Sequence, residues 1–121
     1  MNASPIEHVF AGIPVTDYQR AVAWYELLFG RPPDVVVRDD NESMWQLAEK
    51  AWLYIVRDSE RAGKSIAAIL VTDLESHLSA LAGRGIKGFE METVPGLYRK
   101  AVLSDADGNM ITIGQNLQAP E

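Results

Sequence analysis

The chain of 121 residues contains no cysteine, which excludes a disulfide framework, thiolate metal ligation and a cysteine nucleophile. It has no apolar run near the roughly 18 residues that span a bilayer, so a membrane is not an expected partner. A basic-then-apolar leader is also missing at the N-terminus, and a cytoplasmic protein is expected. Positive charge is scarce: eleven Lys and Arg stand against seventeen Asp and Glu, for a net charge of −6. The cations are scattered from Arg20 to Lys100 and interrupted by acids. A nucleic-acid binder gathers its cations on one face to displace counterions from phosphates, so nucleic acid is not an expected partner either. Neither a P-loop nor a G-x-S-x-G elbow occurs. What is present is ordinary: 47% hydrophobic and 23% charged residues, as in a globular chain, at a length that fits one domain, 1–121.

The chain repeats itself. Residues 13–17 read Ile-Pro-Val-Thr-Asp and residues 69–73 read Ile-Leu-Val-Thr-Asp, 56 positions apart. Each copy ends a β-branched run and opens a stretch with helical periodicity, carried by Ala21, Val22, Trp24, Tyr25, Leu28 and Phe29 in the first and by Leu74, Leu78, Leu81 and Ala82 in the second. Asp17 and Asp73 are suited to cap these helices, and Gly30 and Gly83/Gly85 to end them. Strand-like material follows each helix: Asp34–Arg38, Ser43–Ala48 and Ala51–Arg57, then Lys87–Glu92, Leu97–Ser104 and Asn109–Gly114. The chain therefore reads as βαβββ twice, repeat one over about 6–57 and repeat two over about 65–115, with Asp58–Lys64 as the junction. The polar ends, Met1–Pro5 and Leu117–Glu121, are expected to fray. The predicted fold is α+β: two βαβββ repeats forming a curved mixed sheet around a cavity, with helices on its outer face.

The stretch "PVTDYQRAVAWYELLFG" and the last-strand "DADGNMITI" resemble the vicinal oxygen chelate superfamily, which includes glyoxalase I, extradiol dioxygenases, fosfomycin-resistance enzymes and bleomycin-resistance proteins. The resemblance runs from about Glu7 to Gln115. In metal-dependent members about four His, Glu or Gln ligands face a shared cavity. What the resemblance implies for their positions is Phe10, five residues before Val15; Ile66, five before Val71; Thr112, four after Gly108; and either Leu53 or Tyr54 in the strand Ala51–Arg57. None of these is a usual ligand for a divalent ion. His8 shares strand parity with Phe10, but the other histidine, His77, falls on the second helix and is expected on its partly exposed surface. Ser104-Asp105-Ala106-Asp107-Gly108-Asn109 carries acids at calcium-loop density, yet its glycine is misplaced for an EF-hand and a tight turn accounts for it. No cofactor or metal is expected.

If parity follows the family, Phe10, His8 and Gly12 face the cavity, as do Ile66, Ala68 and Leu70, and Met110, Thr112 and Gly114. Trp45, Trp52, Tyr54 and Tyr98 lie on the middle strands, from which some should reach the same space. The predicted ligand-binding set is thus Phe10, His8, Trp45, Trp52, Tyr54, Ile66, Tyr98, Met110 and Thr112. A mostly apolar concavity with a few orienting polar groups is the usual form of a small-molecule site. Two functions are compatible with it: a metal-free binding protein of the bleomycin-resistance type, or a metal-dependent lyase, isomerase or thiol transferase with shifted ligands. Metal-free catalysis by Tyr54, Tyr98 or His8 is a third. No catalytic residue is identified. Three Trp, four Tyr and three Phe are many for so small a domain to bury alone, and a homodimer is expected.

Overall fold

The computed structural model describes residues 4–118, so the outermost residues of the two ends expected to fray lie outside the description. Leu117, counted among them, is tied down: its N–H donates to the Leu97 carbonyl at 2.9 Å. The order of elements is β1 (Val9–Val15), α1 (Tyr18–Phe29), β2 (Val35–Arg38), β3 (Glu42–Ala48) and β4 (Ala51–Arg57), then β5 (Ile66–Leu70), α2 (Leu74–Gly83), β6 (Glu90–Val94), β7 (Tyr98–Ser104) and β8 (Met110–Asn116). This is βαβββ twice. The strands form two four-stranded mixed sheets, β1-β4-β3-β2 and β5-β8-β7-β6. In each, the first strand runs parallel to the last and the others are antiparallel.

Both helices start where the repeated Val-Thr-Asp predicts. Asp17 and Asp73 keep extended backbones, and each side chain accepts the N–H three residues on, from Arg20 and Ser76, both at 3.1 Å. Such a bond satisfies an amide of the first turn that has no partner within the helix. Gly30 ends α1 at φ 75°, its N–H reaching the Glu26 carbonyl at 2.8 Å. The strand expected to begin at Lys87 begins at Glu90 instead. Gly85 and Gly88 have φ of 98° and 80°, so the chain there turns and cannot extend.

One continuous core joins the repeats. It takes Ile13, Val15, Trp45, Leu53 and Ile55 from the first sheet, Ala101, Leu103, Ile111 and Ile113 from the second, and Tyr18, Tyr25, Leu28, Leu74 and Leu81 from the helices. Because strand side chains alternate, the residues between these positions point to the opposite face of each sheet. Among the described residues no helix covers that face: Phe10, Ile66 and Leu70 are 49%, 77% and 70% exposed. The pairing register is parallel in the two halves. Phe10 lies beside Trp52 and Gly12 beside Tyr54 in the first, as Ile66 lies beside Met110 and Ala68 beside Thr112 in the second.

The turn of residues 105–109 fastens repeat two onto repeat one. Asp105 is buried, and its carboxylate accepts from the Tyr25 hydroxyl at 2.8 Å, from the Asn109 side-chain amide at 2.9 Å and from the backbone of Asp107 and Asn109 at 3.0 and 2.9 Å. The same Asn109 amide donates to the Pro14 carbonyl at 2.8 Å, and the Thr16 hydroxyl donates to Asp107 at 2.6 Å. Burial, and then the Asp105 charge, push the Tyr25 phenol far above its ordinary range, so it stays a donor. The acids of this turn are thus spent on the fold, as a tight turn with Gly108 at φ 94° requires.

Asp17→Ala and Asp73→Ala should each lower stability by about 1 kcal/mol through the lost cap. Asp105→Ala should cost about 3 kcal/mol, because it strands the Tyr25 hydroxyl and the Asn109 amide in the interior. Urea denaturation of the three variants measures the order; equal midpoints for Asp105→Ala and the cap variants would show that the turn does not fasten the repeats.

Candidate functional site

The open face of the first sheet carries an aromatic shelf. Phe10 on β1 stacks on Trp52 of β4 with ring centroids 5.6 Å apart and planes 17° apart. The Trp52 indole N–H donates to His8 Nδ1 at 3.0 Å. His8 Nδ1 is thus engaged as an acceptor, with the imidazole ring 6.2 Å from the Trp52 ring and 6.4 Å from that of Phe10. Tyr54 extends the shelf by lying flat on Gly12: a Cβ on that glycine would stand 2.5 Å from the ring's Cζ and Oη. The absence of a side chain at position 12 is what lets the phenol settle against the strand.

Register resolves the choice between Leu53 and Tyr54. Tyr54 pairs with Gly12 on one side and Met44 on the other, on the open face, whereas Leu53 is 1% exposed in the core. Tyr54 corresponds in repeat one to Thr112 in repeat two, each standing beside the strand position two residues after Phe10 and Ile66 respectively.

The open face of the second sheet forms a shallow cavity of about 490 Å³, lined by Ile66, Leu70, Tyr98, Lys100, Thr112 and Gly114 among others. Ile66 also borders a hollow of about 440 Å³ shared with Trp52, Val9 and Ala11, where the edge strands of the two sheets meet. Tyr54 and Gly12 border another, of about 380 Å³, with Val56, Ser65 and Arg61.

The structure thus brings His8, Phe10, Trp52 and Tyr54 together on one sheet and Ile66, Tyr98 and Thr112 together on the other. Ile66 and Thr112 line the shallow cavity together, whereas Phe10 stands on the other sheet against Trp52. Met110 shares the face of Ile66 by register but also opens into a groove with Trp24, Leu27 and Phe89. Trp45 is a correction. It points to the other face, wholly buried against Tyr25 and Phe29, with its indole N–H on the Arg31 carbonyl at 3.0 Å. The register Gln46↔Trp52 puts the two tryptophans out of phase, and the irregularity between Gln46 and Ala48 that helps to set it has no sequence signature. Lys100 was not singled out in the sequence, although alternation from Tyr98 would have found it.

The positions where the resemblance puts metal ligands hold Phe10, Tyr54, Ile66 and Thr112. Two are hydrocarbons without lone pairs and two offer neutral hydroxyl groups. His8 already accepts from Trp52, and among the described residues no three His, Asp or Glu side chains converge as a metal-binding group. This donor set does not fit a divalent cation.

His77 lies half-buried on α2, in keeping with the partly exposed helix position expected of it, beside a hollow of about 200 Å³ that Phe29, Ile69 and Arg84 also line. Burial, and then the Arg84 charge, hold it below the ordinary histidine value. The unfolded chain therefore binds this proton more tightly than the folded one, and stability is lost as pH falls below about 6.5. His77→Gln should flatten the dependence of the unfolding midpoint on pH over that range; an unchanged slope would show that His77 is not its source. A second prediction concerns the shelf. Gly12→Ala should leave the fold intact, because what yields is the far end of a side chain, but should lift Tyr54 from the strand, seen as a displaced Tyr54 ring resonance in NMR spectra.

No family profile matches the sequence, and no curated protein does. Solved structures do. A glyoxalase/bleomycin resistance protein from Catenulispora acidiphila is 36% identical, with 93% of this chain and 98% of that chain covered and a TM-score of 0.85. A lactoylglutathione lyase from Agrobacterium tumefaciens is 16% identical, with 93% and 95% covered and a TM-score of 0.73. A bleomycin-binding protein solved in complex with bleomycin is 19% identical, with 90% and 98% covered and a TM-score of 0.67. The last two show a common fold alone.

Proposed function

The chain belongs to the glyoxalase/bleomycin resistance protein family of the vicinal oxygen chelate superfamily, and from that premise we propose that it is a metal-free binding protein for a partly apolar or aromatic small molecule. The observation that carries this reading is the chemistry at the four positions where metal-dependent members keep their ligands. Phe10 and Ile66 supply hydrocarbon, Tyr54 and Thr112 supply hydroxyl groups, and their neighbours Trp52, Leu70 and Tyr98 extend an apolar surface. A guest against it gains roughly 25 cal/mol for each Å² of apolar surface taken out of water, and more from stacking on Phe10 and Trp52. The bleomycin complex of a protein with this fold supports a binding role for the scaffold.

The site is a dimer site in this reading. Phe10, Ile66 and Leu70 are exposed on sheet faces that no helix among the described residues covers, and large exposed apolar surface is a mark of an interface. Two protomers that cover each other's open faces would close the shelf and the shallow cavity over the guest.

Native mass spectrometry of the purified protein tests both parts. The expected species has twice the chain mass and no stoichiometric divalent ion, and EDTA leaves its unfolding midpoint and its uptake of the neutral dye Nile red unchanged. Phe10→Glu should weaken dye binding by about tenfold or more, since the carboxylate must be desolvated or protonated in the pocket. A monomer at micromolar concentration removes the dimer site. One nickel, zinc or manganese ion per chain, lost in His8→Ala, would replace this reading with the metal-dependent lyase, isomerase or transferase.

A further inference from the structure

Among the described residues lining the cavity on the second sheet, one is charged: Lys100. It projects from β7 onto the open face beside Gly114, with Tyr98 two residues before it and Thr112 on the neighbouring strand. Its ammonium group lies 5.3 Å from the centroid of the Tyr98 ring and 3.1 Å from a Glu92 carboxylate oxygen. The two partners of that ion pair are unequally placed. Glu92 stands on the edge strand β6, its side chain 52% exposed and outside the cavity lining, whereas the Lys100 side chain is 29% exposed. An exposed carboxylate in a surface ion pair contributes little and is readily exchanged.

We propose that Lys100 makes the site selective for ring compounds that carry an anionic group, such as an aryl carboxylate or sulfonate. This rests on the binding reading above and names the class of guest. The ring would lie on the apolar floor of Ile66, Leu70 and Thr112, and its anion would take the place of Glu92 at the ammonium group. In that drier position a charge-assisted hydrogen bond is stronger than the one to the exposed glutamate. The Thr112 hydroxyl and the Asn116 amide, which border the same cavity, offer further donors. A cationic guest finds no carboxylate in the lining and meets the lysine at close range.

The test titrates two dyes into the intact protein: 8-anilino-1-naphthalenesulfonate, which is aromatic and anionic, and Nile red, which is neutral. Lys100→Gln should weaken the sulfonate by about tenfold or more, the worth of one hydrogen bond to a charged group, and leave Nile red within about twofold. Lys100→Arg should keep the sulfonate close to wild type. Glu92→Gln, which frees the lysine without removing it, should tighten the sulfonate, and serves if Lys100→Gln fails to fold by circular dichroism. Sulfonate binding that is indifferent to Lys100→Gln, or weakened by Glu92→Gln, overturns the inference while Nile red binding keeps the binding reading. If wild type takes up neither dye, the binding reading itself fails and the inference falls with it.

Discussion

Two four-stranded sheets that share no strand-to-strand hydrogen bond among the described residues need another reason to keep a fixed relation, and the Asp105 carboxylate is central to it. Four donors converge on its two oxygens, one of them the Tyr25 hydroxyl from the opposite repeat. Asn109 passes the connection on to the Pro14 carbonyl, at the end of the first strand. A buried charge is tolerated only when its lone pairs are satisfied, and here the satisfying groups come from both halves of the chain. The shared core supplies bulk cohesion, but hydrophobic contact is not directional. The turn supplies direction. The placement of the shelf relative to the shallow cavity follows from it.

The same division of labour explains the two faces of each sheet. Among the described residues the two helices cover the inward side of the sheets, and no further layer covers the other side. In a metal-dependent relative the uncovered side would be polar enough to hold an ion. Here its central positions are Phe10, Tyr54, Ile66 and Thr112, which make the face a largely apolar one. A guest and a second protomer are the two covers that the proposed function combines, and Lys100, the one charged residue among those described in the cavity lining, is where the proposed preference would arise.

Much of this was legible before any coordinates. The repeated Val-Thr-Asp carries its own physics, a β-branched run that ends on a capping side chain, and both helix starts fell where it put them. Strand parity correctly grouped His8, Phe10 and Gly12, and likewise Ile66, Ala68 and Leu70. Parity within a strand says nothing about phase between strands, however. That phase depends on turn geometry, and the irregularity between Gln46 and Ala48 leaves no residue signature, so Trp45 could not be told from Trp52. The ambiguity between Leu53 and Tyr54 had the same origin. Nor could the sequence announce that Tyr54 lies on Gly12, because that contact joins two strands 42 positions apart. Asp105 and Asp107 stand in the tight turn that the sequence leads one to expect, and what it does not announce is that their carboxylates reach Tyr25 and Thr16 of the other repeat.

The registers of the two halves bear on how such a chain can change length. Phe10 and Ile66 are 56 positions apart, while their neighbours across the sheet, Trp52 and Met110, are 58 apart. Repeat two is therefore two residues longer than repeat one between these paired positions, and the same face is open in both. An even step is invisible to a structure whose side chains alternate in pairs. A step of one residue in the same interval, if pairing adjusted to it, would turn Thr112 inward and bring Ile111 or Ile113 onto the open face. Loops can take up gains and losses of any length, but within the paired strands an odd indel must be absorbed by a bulge or exchange the site for the core.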